Sequence, residues 1–451
     1  MPVGSKEINR TNREERSSVI ATKATAVQPA DKVRRIPGLR WWMIGMVFAA
    51  TAINYIDRQC LALLAPQITR ELNISNQEYS YIGVALLLSY AISQTVSGRL
   101  YDRVGTRKGF AASIVLWSAS AVAHAMAIGL KSLMALQSLL GLGEAGNWPG
   151  AAKVSAEWFP VRERALAMAI FNSGAAFGAV IAPPLVVWLN FVLGWRATFV
   201  ITGAIGFVWL LFWWRLYRVP AEHPSITTEE RDLILAGQQV SVSSPQETLS
   251  VKRLLRCRQV WAVVLGRLCV DPVWWLFVIW LPKYLADARG FDMKAIGLSA
   301  WVPYLFAGLG SLTGGALAGR LIKRGWSVNR SRKAIIVGAA CVMPIGVMVS
   351  RVASPYLALA FISVELFAFQ IWISNVQTLP SDFFSDKTVA SVAGLGGTGA
   401  AIGSMVFILT TGWFVQHVSY TPILTIAGVL APLGTAVLLL LAGRIERVQM
   451  K

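Results

Sequence analysis

Apolar residues occur along this chain in long blocks separated by short polar segments. Twelve blocks can be placed, at 40–64, 78–99, 109–128, 131–153, 164–190, 196–217, 258–284, 295–319, 333–352, 354–377, 388–413 and 421–443. A helix needs about 20 mostly apolar residues to cross a bilayer. Only helices and closed barrels satisfy every backbone group in hydrocarbon, and runs this continuous predict helices, not alternating strands of ~10 residues. The expected fold is an all-α membrane protein with twelve transmembrane helices. Residues 1–39 are polar and basic, without apolar periodicity, and predict a disordered tail with no cleavable signal peptide. The long interruption at 218–257 divides six blocks from six. The expected order is therefore a tail (1–39), an N-terminal six-helix bundle (40–217), a linker (218–257), a C-terminal six-helix bundle (258–443) and a short tail (444–451). Within the linker, Thr227-Thr228-Glu229-Glu230 has a capping-box pattern and predicts a surface helix.

Composition closes off the soluble alternatives. Of 451 residues, 55% are hydrophobic and 14% charged, with a mean hydropathy of +0.55. A soluble domain is about a quarter charged, so a soluble enzyme, a DNA-binding domain and a disordered chain are poor readings. The net charge of +19 would suit nucleic acid, but its placement speaks for membrane topology. One side collects the N-terminal tail, Arg103, Arg107, Lys108, Arg162, Arg164, the 218–257 loop, Lys323 to Lys333, Arg444, Arg447 and Lys451. The other holds Arg70, Lys131, Arg196, Lys283, Arg289, Lys294 and Arg351, scattered singly. Cytoplasmic loops carry the Lys and Arg excess, so both termini are expected in the cytoplasm, with no nucleic-acid partner. The four cysteines are isolated and the three histidines solitary, which implies neither a disulfide framework nor a metal site. The chain has no P-loop, so ATP is not the expected energy source.

The halves also match in sequence. Ser173-Gly174-Ala175-Ala176-Phe177-Gly178 in span five answers Thr398-Gly399-Ala400-Ala401-Ile402-Gly403 in span eleven. Gly98-Arg99-Leu100-Tyr101-Asp102-Arg103 after span two answers Gly315-Ala316-Leu317-Ala318-Gly319-Arg320 after span eight. Spans two and eight run the same way, so the repeat is parallel. Such repeats place a site at their interface near mid-membrane and allow one half to rock against the other. Asp102, beside Arg103, Arg107 and Lys108 at a helix end, can bridge to a neighbouring helix and lock one side. That gives Asp102 and Arg103 a gating role; a plain positive-inside loop is the alternative.

Ionisable groups inside the apolar blocks are the main chemical signal. Each centrally placed charge costs about 3 kcal/mol on insertion scales, and such groups persist where they face a cavity or a partner. Span one carries Asn54-Tyr55-Ile56-Asp57-Arg58, with Asn54, Asp57 and Arg58 on one face. Span four carries Gln137 and Glu144, seven residues apart and hence on one face, followed by Trp148. Counted at ~1.5 Å per residue, Asp57 and Glu144 fall at similar depths, where two carboxyls sharing a cavity can take up and release protons as that cavity changes sides. An Asp57–Arg58 pair that only neutralises itself, and a purely structural Glu144, are the competing readings. In the second half, span seven holds Asp271, Trp274 and Trp275, and span ten, which also contains Trp372, places Gln370, Ser374 and Gln377 on one face, with Asn375 beside it. Amides bond hydroxyls and Trp rings stack on the apolar face of a sugar, which suits a polyhydroxylated ligand; interfacial or packing Trp residues are the alternative. Asn172 in span five is a further candidate contact, whereas the glycines around it suit helix packing.

The loop Gly98-x-Leu100-x-Asp102-Arg103-x-Gly105-x-Arg107-Lys108 resembles the signature loop of the major facilitator superfamily, and the resemblance extends from span one to span twelve. Asn54-Tyr55-x-Asp57-Arg58 and Gly143-Glu144-Ala145-Gly146-Asn147-Trp148-Pro149 narrow it to the anion:cation symporter family. So do Glu157-Trp158-Phe159-Pro160, Asp271-Pro272-Val273-Trp274-Trp275, Trp280-Leu281-Pro282-Lys283-Tyr284 and Leu379-Pro380-Ser381-Asp382. Together these look most like the bacterial hexuronate transporters. The resemblance implies proton-coupled import of a sugar acid, glucuronate or galacturonate, by alternating access through the bacterial inner membrane. It implies Asp57 and Glu144 as the proton-carrying carboxyls, Arg58 as the partner of the substrate carboxylate, and Tyr55 and Tyr90 as lining residues. Trp275, Gln370, Trp372 and Asn375 are then expected to hold the substrate's hydroxyls. Gln137 stands where some sugar-acid members carry an arginine, leaving the anion to Arg58. Ala175 and Gly399 stand where related aldonate carriers can place polar side chains, which speaks against aldonates. No cofactor is implied beyond the proton as coupling ion, and the expected partners are a small organic anion, protons and the lipid bilayer, with the chain acting as a monomer. No nucleophile–base pair or metal cluster points to an enzyme. Another organic anion (aldonate, aldarate or aromatic acid) and a non-transporting membrane sensor remain as alternatives.

Overall fold

The computed structural model describes residues 35–239, 251–384 and 386–448, and the regular structure among them is helical. The expected N-terminal tail up to residue 34, the Gln- and Ser-rich part of the linker (240–250) and the last three residues lie outside the described residues. Helix α1 runs Leu39–Glu71, α2 Asn76–Val104 and α3 Thr106–Ala123. Helix α4 starts as Leu130–Glu144, breaks at Ala145 and Gly146, and resumes as Asn147–Trp158. Val161–Leu216 is one run of helical hydrogen bonds bent at Gly194 (φ +79°), giving α5 (161–193) and α6 (195–216). Glycine adopts that left-handed φ at little cost, so the chain turns there without a loop. In the second half, α7 is Arg258–Arg289, α8 Val302–Lys323, α9 Val328–Val342, α10 Pro355–Val376, α11 Asp386–His417 and α12 Thr421–Ala442.

Eight helical stretches among the described residues, one of them covering both α5 and α6, are long and apolar enough to span a membrane. Helices α1, α2 and α4 are not among them, because polar groups interrupt their apolar character. Asp57 and Arg58 do so in α1, a series of serines and Gln94 in α2, and the break beside Glu144 in α4. These three helices all belong to the N-terminal half, and they carry Asp57, Arg58 and Glu144 with the tyrosine Tyr90.

The internal repeat appears in the packing. Helix α5 lies on α1 through Gly178, where an added Cβ would stand 2.9 Å from Ala52 Cα. Helix α11 lies on α7 through Gly403, where it would stand 3.0 Å from Leu268 Cα. Small residues permit such close approach, so the two matched sequence stretches make the same contact in their respective halves.

We call the end of the bundle where α1 begins the tail end, and its opposite the far end. The halves are joined toward the far end. The Tyr79 hydroxyl on α2 donates to the Ile279 carbonyl on α7 (2.8 Å), and the Asn76 backbone N–H donates to Gln416 Oε1 on α11 (3.0 Å). Tyr79 also meets Trp280 edge-on at 5.1 Å, and Ile279 and Ile408 close over Gly83.

At the tail end, the expected surface helix is present as Thr228–Gln239. Thr227 Oγ1 accepts from the Glu230 N–H (3.3 Å), which is the first half of a capping box. The second half is redirected. The Glu230 carboxylate accepts the Leu39 and Arg40 N–H groups of α1 (3.0 and 3.1 Å) and pairs with Arg40 Nη1 (2.8 Å). Arg40 in turn reaches Glu163 at the start of α5 (3.0 Å), and Ile226 and Ile234 are buried in the core of the N-terminal half. A helix N-terminus leaves N–H groups unpaired and favours an acid; the acid here comes from the linker. Removing it strands buried donors, worth about 1–3 kcal/mol. Glu230→Ala is therefore expected to lower the thermal midpoint of the detergent-purified protein, while Asp232→Ala, exposed on the same helix, leaves it unchanged.

Candidate functional site

Arg58 of α1 is the centre of the polar cluster and is 6% exposed. Its Nε and Nη2 both donate to Glu144 Oε2, at 2.8 and 2.6 Å, and Nη2 also reaches Asn54 Oδ1 at 3.5 Å. Three aromatic rings surround the guanidinium: Tyr55 at 5.1 Å, Tyr90 of α2 at 5.2 Å and Trp275 of α7 at 5.4 Å. A cation over aromatic faces is stabilised by about 0.5–2 kcal/mol per ring, most where water is excluded. Helices α1, α2 and α4 from one half and α7 from the other therefore converge on one cation. Glu144 reaches it because it ends the first segment of α4, and just past the break Asn147 donates its amide to Thr51 of α1 (3.1 Å), tying α4 to α1.

Asp57 turns away from Arg58. It is 2% exposed, neither carboxyl oxygen has a hydrogen-bond partner, and Thr202 of α6 and Cys60 are its neighbours. Consecutive residues on a helix point about 100° apart, which is why the sequence neighbours Asp57 and Arg58 do not pair. The self-neutralising reading is thus set aside in favour of an Arg58–Glu144 pair. Asp57 and Glu144 are close enough for the charge of one to act on the other, and Glu144 Oε1 is also without a partner. The cluster contains one cation and two acids, and Arg58 is bonded to only one of them.

The structure brings Tyr55, Asp57, Arg58, Tyr90, Glu144 and Trp275 together, and corrects two expectations in the C-terminal half. Trp372 is fully buried and donates its Nε1–H to Thr435 of α12 (2.8 Å), so it packs α10 on α12. The Asn375 amide donates to Ile371 O (2.9 Å), and its oxygen accepts from Arg332 Nη1 (3.0 Å), while Arg332 also pairs with Asp382 (3.1 Å). Asn375 therefore belongs to a tail-end network joining α9, α10 and the segment after it, with its amide on the Ile371 carbonyl and its oxygen on Arg332. Helical spacing identifies a polar face but not the neighbour it meets, and here that neighbour is Arg332. Gln370 is half-buried on α10 and makes no hydrogen bond among the described residues. Asn172 is exposed on α5, and Arg103 is exposed at the end of α2. The Asp102 side chain lies outside the described residues, so only its place near the end of α2 is defined.

Sequence reasoning passed over one buried acid that the structure singles out. Glu365 on α10 is fully buried against Gly346, and neither of its carboxyl oxygens has a partner. An acid in the middle of span ten was the available signal. Gln137, expected on the Glu144 face of span four and in the place of an arginine, is 3% exposed with an unpartnered Oε1.

A parallel pair of six-helix halves meeting on a buried cation is the architecture of a membrane transporter. The sequence matches the Major Facilitator Superfamily over residues 47–407, and the chain belongs to that family. Its members are transporters, not enzymes, and the chain is accordingly a multi-pass membrane transporter. It is similar to the hexuronate transporter of Escherichia coli (strain K12), at 37% identity over 409 residues, 90% of this chain and 94% of that protein. It is also similar to the galacturonate transporter of Dickeya chrysanthemi, at 38% identity over 329 residues, 72% of this chain and 95% of that protein. Among solved structures, a bacterial homologue of the human lysosomal transporter Spinster, inward-facing and occupied, matches with a TM-score of 0.67 at 17% identity. That match covers 89% of this chain and 95% of the other, and shows the fold.

Breaking a buried ion pair by removing one partner typically costs about 3–5 kcal/mol, because the other charge is left uncompensated. Glu144→Gln is thus expected to lower thermal stability strongly, and the double variant Arg58→Met with Glu144→Gln to recover most of the loss. Losses that simply add in a melting experiment would show that the two side chains do not act as a pair.

Proposed function

We propose that this chain is a proton-coupled symporter that imports a sugar acid, a hexuronate such as glucuronate or galacturonate, by alternating access. The observation that carries this reading is the buried Arg58, bonded to Glu144 and ringed by aromatic side chains from both halves. A guanidinium presents a planar fork of donors matched to a carboxylate, and in the resting site Glu144 occupies it. A substrate carboxylate that docks on Arg58 displaces Glu144, which then takes up a proton so that no free charge is left buried. Tyr55, Tyr90 and Trp275 offer ring faces to the sugar. Asp57, with no counter-ion of its own, carries a coupling proton on the opposite side of α1. The 37–38% identity to hexuronate and galacturonate transporters supports the substrate class.

In this reading the tail end faces the cytoplasm of a bacterial cell, as the concentration of Lys and Arg there favours. The far-end contacts, Tyr79 with Ile279 and Asn76 with Gln416, then close the outer side. Rocking the halves apart at that end opens Arg58 to the outside, and Asp102 with Arg103 helps hold the opposite state closed. One chain supplies both halves of the site, so a monomer suffices.

The test is uptake of labelled D-glucuronate into proteoliposomes under an inward proton gradient. Asp57→Asn is expected to abolish accumulation driven by the gradient while part of the counterflow exchange survives; accumulation at the wild-type level would remove Asp57 from the coupling mechanism. Competition by unlabelled aldonates and aromatic acids measures how far the site extends beyond uronates.

A further inference from the structure

His223 lies buried at the joint between α6 and the linker helix Thr228–Gln239. Its two ring nitrogens have opposite duties. Nδ1 accepts the Ser225 backbone N–H (3.1 Å), a group that can only donate. The proton of the neutral ring therefore sits on Nε2, which donates to the Leu216 carbonyl at the end of α6 (3.0 Å). Trp158, at the end of α4, meets the ring edge-on at 5.7 Å. Arg231 of the linker helix donates to the His223 carbonyl (3.2 Å), and the Ser225 carbonyl accepts the Ile36 N–H just before α1 (2.9 Å). One imidazole thus fastens the end of α6 to the segment that leads into the linker helix and reaches α1.

A second proton undoes this arrangement. It can be added only to Nδ1, so the acceptor becomes a donor facing another donor, and the Ser225 N–H loses its partner. Two cations, Arg218 and Arg231, act on the ring. Of the acids on the elements around it, Glu157 of α4 accepts from the Thr106 and Tyr217 hydroxyls, and Glu230 is engaged with Arg40. Glu222, Glu229 and Asp232 are exposed. Burial, and then the two arginines, hold His223 below the ordinary histidine value of about 6.5, against the Leu216 carbonyl, which favours the cation. The docked linker therefore prefers the neutral ring. Its hold is complete above about pH 6.5 and is lost as the pH falls below that value.

We propose that His223 is an acid-sensitive latch: neutral, it fastens the linker helix to the N-terminal half, and protonated, it loosens that helix from the start of α1 and slows transport. Only the consequence for transport rests on the functional reading above. With the tail end in the cytoplasm, protons that enter with the substrate collect on the side where the latch lies, so uptake restrains itself.

Hydrogen exchange of the full-length protein in nanodiscs reads the latch without any need for transport. Peptides covering 219–235 are compared at about pH 7.5 and about pH 5.5, a window above the ordinary carboxylate range, after correction for the intrinsic pH dependence of exchange. In the wild type their protection is expected to fall about tenfold, the worth of one buried hydrogen bond with its penalty, while peptides from α10 keep theirs. His223→Gln can accept from Ser225 and donate to Leu216 but cannot take up a proton, and is expected to abolish the step. His223→Ala, with neither bond, is expected to show low protection at both pH values. A wild type without the step, a step of equal size in His223→Gln, or His223→Ala as protected as the wild type at the higher pH each overturns the proposal. The wild-type step and the His223→Ala comparison decide it even if His223→Gln does not dock. Counterflow of D-glucuronate at equal pH on both sides reads the consequence. The wild-type rate relative to His223→Gln is expected to fall at the lower pH, and a constant ratio overturns the effect on transport. Absence of counterflow in the wild type at either pH defeats the functional reading and leaves the latch to the exchange measurement.

Discussion

A guanidinium held among apolar helices must be neutralised where it sits, and the pairing of Arg58 with Glu144 does this across two helices. Much of the N-terminal half is arranged around that requirement. Helix α1 gives up apolar character to carry Asn54, Asp57 and Arg58, and α4 is interrupted just after Glu144. The desolvation cost of such a pair can exceed its Coulombic gain, so packed apolar residues would serve stability at least as well. The pair makes sense as a site held ready: Glu144 acts as an internal anion that an external one can replace.

The contact between the halves has a different character. Toward the far end it is made from a tyrosine hydroxyl on a carbonyl, one backbone N–H on an amide, and aromatic and branched apolar side chains. Neither of the two hydrogen bonds is charge-assisted. Neutral hydrogen bonds contribute about 1 kcal/mol each, and an apolar seal can re-form in a second arrangement of the same surfaces. Strong charge pairing is kept inside the halves, in Arg58–Glu144, Arg267–Asp271 and Arg332–Asp382. Rigid halves joined by a weakly held seam are what rocking requires.

The spans were legible in the sequence because hydrocarbon imposes a length and a composition on any helix that crosses it. Even the bend between α5 and α6 falls in the gap between two apolar blocks, at Gly194. Asp57, Arg58 and Glu144 were legible for the same reason, since ionisable side chains in such blocks are costly. Their pairing was not. Asp57 adjoins Arg58 in sequence but points elsewhere around the helix, while Glu144 lies 86 residues away and faces it directly. Trp372 and Asn375 show the same limit: their place in span ten was readable, but Thr435 and Arg332 decide what each of them meets. Glu365 was overlooked because a lone acid with no nearby motif draws little attention, even though burial makes it as unusual as Glu144.

The anchoring of Glu230 onto the start of α1 bears on where the molecule can be divided. Judged by hydropathy, the first half stops at residue 217, yet the helix Thr228–Gln239 is bolted to that half through Arg40 and Glu163. The chain's natural joint therefore falls after Gln239, not before Thr228. Any attempt to express the two halves as separate polypeptides, or to exchange one for that of a cousin, should place the junction there, so that each fragment keeps its own cap.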